Sequence, residues 1–456
     1  MKLNYKRTCL VGMAFFLITA FWQAYDAIVP LILTNHFGLP QGVSGAVMSL
    51  DNVLAVFLLP LFGALSDRVK TPWGKRTPFV ALGTVAAVVA FVGLIFVDNY
   101  QLARVIAAGV PQAQGDRALE LAWQLTAANP LPLVGFLLTL LVVLVAMATF
   151  RSPAVALMPD ITPKPLRSKG NAIINLCGAV GGVLVLVLGM VFATSKNHYM
   201  YYTGYVLSVC ALMVLALAVF LLTVKENRWA MAQEEPDAAS ETAGEAPATA
   251  GGLSRAQRRS FLLILASVAL WYVGYNSITS KYSVYATNVL GFDFNLTLIV
   301  AQAAAIVSYV PVGFLASRLG RRKTVLLGVA MLAGAFLLGI PVTGNTPEAV
   351  MYPVFVLAGV GWATINVNSF PMAVELAKGS NVGKYTGYYY TASMSAQIVA
   401  PVLSGFLYDL WGMERVFFPF GAVFVILSFV TMFFVRHGDS TPQRPQSALE
   451  QLGAEE

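Results

Sequence analysis

Four ionisable side chains stand inside stretches of sequence that are otherwise apolar: Asp26, Asp51, Arg151 and Lys281. Holding such a group near the middle of a bilayer costs about 2.5 kcal/mol or more on insertion scales, so one that is kept there lines a cavity or serves a partner. Asp26 and Asp51 each lie about eight residues from the outer end of their stretch, which at 1.5 Å per helical residue is about 12 Å deep. A carboxyl at that depth beside a cation can take up and give back a proton as access to it alternates. Asp26 is therefore expected to be the proton or substrate carboxylate. Asp51, next to Asn52, is expected as a second proton-coupling group or as the partner of Lys281 in a gate. Lys281 itself either joins this cluster from a later stretch or snorkels to the outer interface. Arg151, near the inner end of its stretch, either reaches the cavity or bonds Asp160, and the structural role is preferred.

The polar and aromatic residues at comparable depth are Trp22, Tyr25, Asn52, Tyr272, Tyr275, Asn276, Tyr282, Gln302, Trp362, Asn366 and Gln397, with Asn171 and Asn175 one turn apart on another stretch. Carboxylates and amides suit hydroxyl groups, aromatic faces suit the C–H face of a sugar ring, and binding pockets combine an apolar lining with a few placed polar groups. With Asp26 and Lys281, these residues form the expected substrate site. Tyr388, Tyr389 and Tyr390 cannot all face it, because consecutive helical residues point apart.

These side chains need helices to hold them. Of the 456 residues, 57% are hydrophobic and 11% charged, against roughly 25% charged in an average soluble domain. That composition excludes a soluble enzyme and a disordered chain. Hydropathy predicts spans over 9–34, 43–65, 78–97, 131–157, 172–194, 201–224, 261–285, 296–316, 324–340, 351–374, 386–410 and 416–435, each long enough for a core of about 30 Å. The expected fold is an all-α membrane protein of twelve transmembrane helices. Among the 29 Lys and Arg, only Arg104, Arg117, Lys196 and Arg415 fall between spans on the outer side when the N-terminus is placed inside. The asymmetry predicts both termini in the cytoplasm of a cell with this protein in its plasma (inner) membrane, and it makes the basic balance a topology signal instead of a nucleic-acid signal. The first apolar stretch is full length and is expected to be retained. Cys9, Cys177 and Cys210 sit in apolar stretches, His36, His198 and His437 show no ligand spacing, and no nucleophile with its base is visible. No enzyme activity, metal or cofactor is expected, and the predicted partners are a small molecule, protons and lipid, with the chain a monomer. The outer segment 98–130 is long, with an amphipathic stretch around Arg117 to Trp123 that predicts a short surface helix over the outer mouth.

Residues 225–259 are polar and read as a flexible linker between two halves, 1–224 and 260–436, with a tail over 437–456. The halves repeat. GALSDRVKTPWGKR (Gly63–Arg76) matches GFLASRLGRR (Gly313–Arg322) at an offset of 250, which also pairs Trp22 with Tyr272, Tyr25 with Tyr275 and Asp26 with Asn276. TNHFG at Thr34–Gly38 echoes TNVLG at Thr287–Gly291, and Asp160, Arg167 and Gly170 echo Glu375, Lys384 and Gly387. Two parallel six-helix repeats with a site at their interface are the plan of alternating-access transporters.

The Asp67-Arg68 and Gly74-Lys75-Arg76 loop resembles the signature of the major facilitator superfamily. Its expanded form, SDRVKTPWGKRTPF, and the stretch PDITPKPLRSKGNA at Pro159–Ala172 are similar to the glycoside-pentoside-hexuronide cation symporters and the plant-type sucrose/proton symporters. That resemblance implies the major facilitator fold with two pseudo-symmetric bundles and a proton-coupled symporter of a sugar or glycoside, a disaccharide first. A proton-coupled exporter of drugs or metabolites on the same fold is the alternative. Where the melibiose-type carriers place two sodium-binding carboxylates ahead of the loop, this sequence has Ala55 and Leu59, which turns the expectation toward protons. The resemblance also implies that Asp67, Arg68, Gly74, Arg76, Asp160, Arg167 and Arg318 act in gating at the inner end.

Overall fold

The computed structural model describes residues 4–113, 115–162, 167–229, 254–375 and 382–437. Most of the expected linker and the tail beyond His437 lie outside the described residues. The first half contains α1 (Tyr5–Leu31), α2 (Gln41–Arg68), α3 (Thr77–Ala107), α4 (Asp116–Ala128), α5 (Leu131–Ile161), α6 (Arg167–Val191) and α7 (Thr203–Thr223). The second contains α8 (Arg255–Thr279), α9 (Phe294–Leu319), α10 (Arg321–Gly339), α11 (Met351–Glu375), α12 (Val382–Trp411) and α13 (Met413–Phe433). Among the described residues, 10 spans are long and apolar enough to cross a membrane. With α9, apolar over Phe294–Tyr309, and α12, they make up the long helices of a multi-pass membrane protein.

The helix pairings repeat between the halves. In the first, α1 packs on α6 and α7, and α3 on α5 and α7; in the second, α8 packs on α12 and α13, and α10 on α11 and α13. The halves meet through α2 against α12 and α6 against α9, two contacts that a twofold rotation exchanges. Both repeated Thr-Asn segments end their helix in the same way, as π-helical turns at Ile32–His36 and Tyr285–Leu290. A glycine in the left-handed region follows each, Gly38 (φ 65°) and Gly291 (φ 72°).

Several elements extend past their hydropathy windows because polar residues find partners. Instead of ending near 97, α3 runs to Ala107, since Asp98 is buried against His36 (2.6 Å) and the Gln101 amide donates to the His36 carbonyl (3.0 Å). The start of α8 is Arg255, inside the expected linker, where Ser254 and Gln257 form a capping box. The amphipathic stretch is indeed a helix, α4, but it lies on the first half alone. It buries Ala118 and Ala122 against Val105 and Val110 and meets the turn at Gly38, so it does not cover the mouth between the halves.

At the end of the molecule remote from the chain termini, the halves are tied together. The Asn35 and Asn288 amides exchange hydrogen bonds (3.3 and 2.6 Å), and His198 Nδ1 also reaches Asn288 Oδ1 (2.7 Å). The Asp409 carboxylate accepts from the Gln41 and Gly42 N–H groups (2.6 and 2.7 Å), capping α2 from the other half. Beneath them, α2 and α12 touch backbone to backbone: a Cβ on Gly45 would sit 2.0 Å from the Pro401 carbonyl oxygen. Between described residues, hydrogen bonds across the halves occur only toward this end, the deepest on α2 being Ser49 Oγ to the Ile398 carbonyl (2.9 Å).

At the opposite end, which carries both termini, the α2–α3 loop is built on two charged nodes. Arg76 is buried and donates to Asp160 (2.9 Å), to Asp67 (2.5 Å) and to the Ser66 hydroxyl. Glu226, after α7, accepts from the N–H groups of Lys75, Arg76 and Thr77 (2.7, 3.0 and 2.9 Å) and from the Thr77 hydroxyl (2.8 Å), at the start of α3. Gly74 adopts φ 124°, and a Cβ there would lie 2.0 Å from a Glu226 oxygen, so only glycine fits the turn.

Two outcomes follow from these ties. Glu226→Gln would turn an amide NH2 toward N–H donors and cost about 1–3 kcal/mol, read as a lower melting temperature in detergent; an unchanged melting curve would remove Glu226 from the scaffold. Gly45→Val overpacks the α2–α12 contact, an effect of about 1–3 kcal/mol, and should raise labelling of a Ser283→Cys reporter by an impermeant maleimide several-fold. No rise would show that the backbone contact does not hold that end shut.

Candidate substrate-binding and coupling site

Helix α1 carries Trp22 and Asp26 on one face, α2 carries Met48, Asp51 and Asn52, and α5 delivers Arg151. Facing them are Asn276, Thr279 and Ser280 from the end of α8 and Gln397 from α12. Together these residues line a polar cavity of about 160 Å³ between the halves, beside the α2–α12 contact. The Asp26 carboxylate is open to this cavity and hydrogen-bonds no described residue. Asp51 is half-buried and accepts from the Asn52 amide (2.8 Å). Arg151 lies over the Trp22 ring, 5.7 Å from its centroid. Two carboxylates and one guanidinium therefore share a small space reached from both halves.

A second cavity of about 350 Å³ adjoins it, and Thr279 lines both. Its volume lies near the low end of small-molecule sites, about 300–1,000 Å³. Gln23 and Thr19 from α1, Asn175 from α6 and Gln302 from α9 supply its polar groups. Tyr275 and Trp362 form a stacked aromatic wall, with centroids 6.1 Å apart and planes 26° from parallel. The Gln302 Oε1 and Trp22 Nε1 atoms are buried with no hydrogen-bond partner, leaving polar groups at both cavities for a ligand to satisfy. Most of the remaining lining is apolar, with Tyr309 and Thr279 as further hydroxyl groups.

The sequence-predicted residues thus divide. Trp22, Asp26, Asp51, Asn52, Asn276 and Gln397 come together in the polar cavity, and Tyr275, Gln302 and Trp362 in the larger one. Tyr25 is buried beside Trp22, edge-on at 5.3 Å, and lines neither. Tyr272 stacks on Trp271 at 3.9 Å, and Tyr282 is buried with its hydroxyl on Thr297 (2.7 Å). Asn366 is half-buried away from both cavities. Lys281 corrects both expectations made for it. It neither snorkels nor faces the cluster; fully buried, it donates to the Ser44 hydroxyl across the halves (2.5 Å). Arg151 leaves Asp160 to Arg76 and reaches the cavity, the reverse of the preferred reading.

The sequence reading passed over Thr19, Thr279, Ser280 and Tyr309, because a lone hydroxyl in an apolar run carries no hydropathy signal. Of the loop residues, Asp67 and Asp160 form one network around Arg76, whereas Arg68 and Arg318 are exposed and form no ion pair with a described residue. The side chain of Arg167 lies outside the described residues.

The profile of the Major Facilitator Superfamily matches residues 11–396 and 296–454. The cis,cis-muconate transport protein of Acinetobacter baylyi is 26% identical over 196 residues, 41% of this chain and 45% of that one. The sucrose transport protein SUC4 of Arabidopsis thaliana is 28% identical over 157 residues, 34% of this chain and 28% of its own. The matches therefore span less than half the length of either relative. Over the whole fold, the inward-open xylose transporter XylE of E. coli superposes with a TM-score of 0.65 at 13% identity, covering 98% of this chain and 99% of the other. The repeated halves, the Asp67–Arg76 loop and a profile match over most of the sequence carry one conclusion: the chain belongs to the major facilitator superfamily.

Proposed function

We propose that this protein is a secondary active transporter that moves a sugar or glycoside, a disaccharide first, in symport with protons by alternating access. In this reading it works as a monomer in the plasma (inner) membrane with both termini in the cytoplasm, and the structure corresponds to the inward-facing state. The observation that carries it is the unpaired Asp26 carboxylate opening on a small cavity shared by both halves. Closing a cavity over a bare carboxylate costs several kcal/mol, and over the neutral acid far less. Protonation of Asp26 on one side would therefore permit the halves to rock, and release on the other would reset them. Arg151 supplies the counter-charge for Asp51. The Tyr275–Trp362 wall, facing the amides Gln23, Asn175 and Gln302, suits a sugar ring with its hydroxyls.

A second reading has its own support. Arg151 in the cavity and the likeness to a muconate transport protein favour a substrate that carries a carboxylate.

In liposomes holding the purified protein, an inside-alkaline pH gradient should drive accumulation of a labelled disaccharide, and Asp26→Asn should abolish accumulation while leaving exchange down a gradient. Accumulation that survives both an uncoupler and Asp26→Asn would sink the proton mechanism. Competition by cis,cis-muconate in place of any sugar would select the carboxylate reading, and expulsion of lipophilic compounds without sugar uptake would select an exporter. Trp362→Ala should raise the half-saturating substrate concentration about ten-fold, the equivalent of about 1.4 kcal/mol, with a maximal rate within two-fold; an unchanged value would move the substrate away from the aromatic wall.

A further inference from the structure

At the end that carries the termini, α8 begins with a run of arginines beside the end of α13. A cavity of about 360 Å³ lies there, lined by Arg255, Arg259, Arg436, His437, Leu263 and Phe434. The Ser260 hydroxyl, buried between the two elements, bonds His437 Nδ1 (2.9 Å) and accepts from the Arg436 backbone N–H (3.4 Å), so the end of α13 is tied to the start of α8. Among the described residues no acidic side chain lines the cavity, and Arg255, Arg259 and Arg436 form no ion pair with a described residue. Arg76, by contrast, has two carboxylate partners. Converging like charges that find no counter-ion among the described residues favour an anion at this corner.

The surroundings indicate what carries that anion. Directly along α8, a second concavity is formed by Arg255, Arg258 and Arg259 above Leu262, Leu263 and Ala266. Leu262 and Phe434, which line these two concavities, are exposed large apolar side chains. A site that is cationic at the level of the helix ends and apolar below it matches an amphiphile with an anionic head and acyl chains. Arginine suits the phosphate, since its fork makes paired hydrogen bonds to two oxygens. We infer that the α8–α13 corner, with Arg255, Arg259 and Arg436 as its ligands, binds an anionic phospholipid by its headgroup phosphate. The sequence had used these arginines only as orientation signals.

The test uses the full chain purified in mild detergent, titrated with phosphatidylglycerol, phosphatidylcholine or inorganic phosphate, and read by native mass spectrometry and by melting temperature. Phosphatidylglycerol should bind at least ten-fold more tightly than phosphatidylcholine. The combined Arg255→Ala, Arg259→Ala and Arg436→Ala variant should bring that preference below three-fold, and the corresponding three Lys variants should retain most of it. If the alanine protein does not melt like wild type in phosphatidylcholine, Arg436→Ala alone carries the comparison. An undiminished preference overturns the site. Inorganic phosphate that protects as well as the lipid overturns the lipid assignment. Neutralising Glu234, Glu235 and Asp237 in the preceding acidic segment, if it raises phosphatidylglycerol binding ten-fold, makes that segment the occupant and overturns the proposal as well.

Discussion

Asn35 and Asn288 occupy the same place in the two repeats, and their amides bond to each other. Equivalent residues of two related halves can touch only on the axis that relates them, so this pair marks the axis. Everything else is disposed around it. The π-helical turns bring each asparagine to the axis, the buried Lys281–Ser44 bond lies beside it, and the α2–α12 backbone contact runs along one flank. Further from these ties, no hydrogen bond links two described residues of different halves, and the two cavities lie there.

Duplication gave the halves one shape and unequal chemistry. Asp26 corresponds to Asn276, and both reach the same polar cavity. The carboxylates and the guanidinium come from α1, α2 and α5, while α8 and α12 offer only amides and hydroxyls to that space. One half thus holds the charge, and the other holds most of the larger cavity's aromatic wall, Tyr275 and Trp362. The shared Thr279 wall means that whatever fills the larger space also borders the charged one.

Much of this was legible in the residues. The spans, the repeat and the depth of Asp26 and Asp51 are one-dimensional properties, read from periodicity and spacing. What escaped depends on which way a side chain turns and what it meets from a distant segment. Lys281 follows the end of α8, where the chain breaks before the π-turn, and that break turns its ammonium toward Ser44. Arg151 lost its expected partner because Asp160 was already held by Arg76. Glu226 looked like linker, yet it caps a helix some 150 positions earlier in the chain. Polar residues that a hydropathy window treats as loop, such as Asp98 and Gln101, can prolong a helix when their partners are inside the protein.

The α2–α12 contact rests on main chain. Gly45 and Gly405 each bring a backbone so near its neighbour that no side chain intervenes, and Gly42 leaves room for the Phe406 ring. A joint made of peptide groups owes its shape to main chain, even though Met48 and Pro401 of the same two helices also border the polar cavity. The other cavity-wall side chains can therefore differ without altering the surface on which the halves meet. That separation gives such a scaffold room to vary its cavity chemistry while keeping one joint.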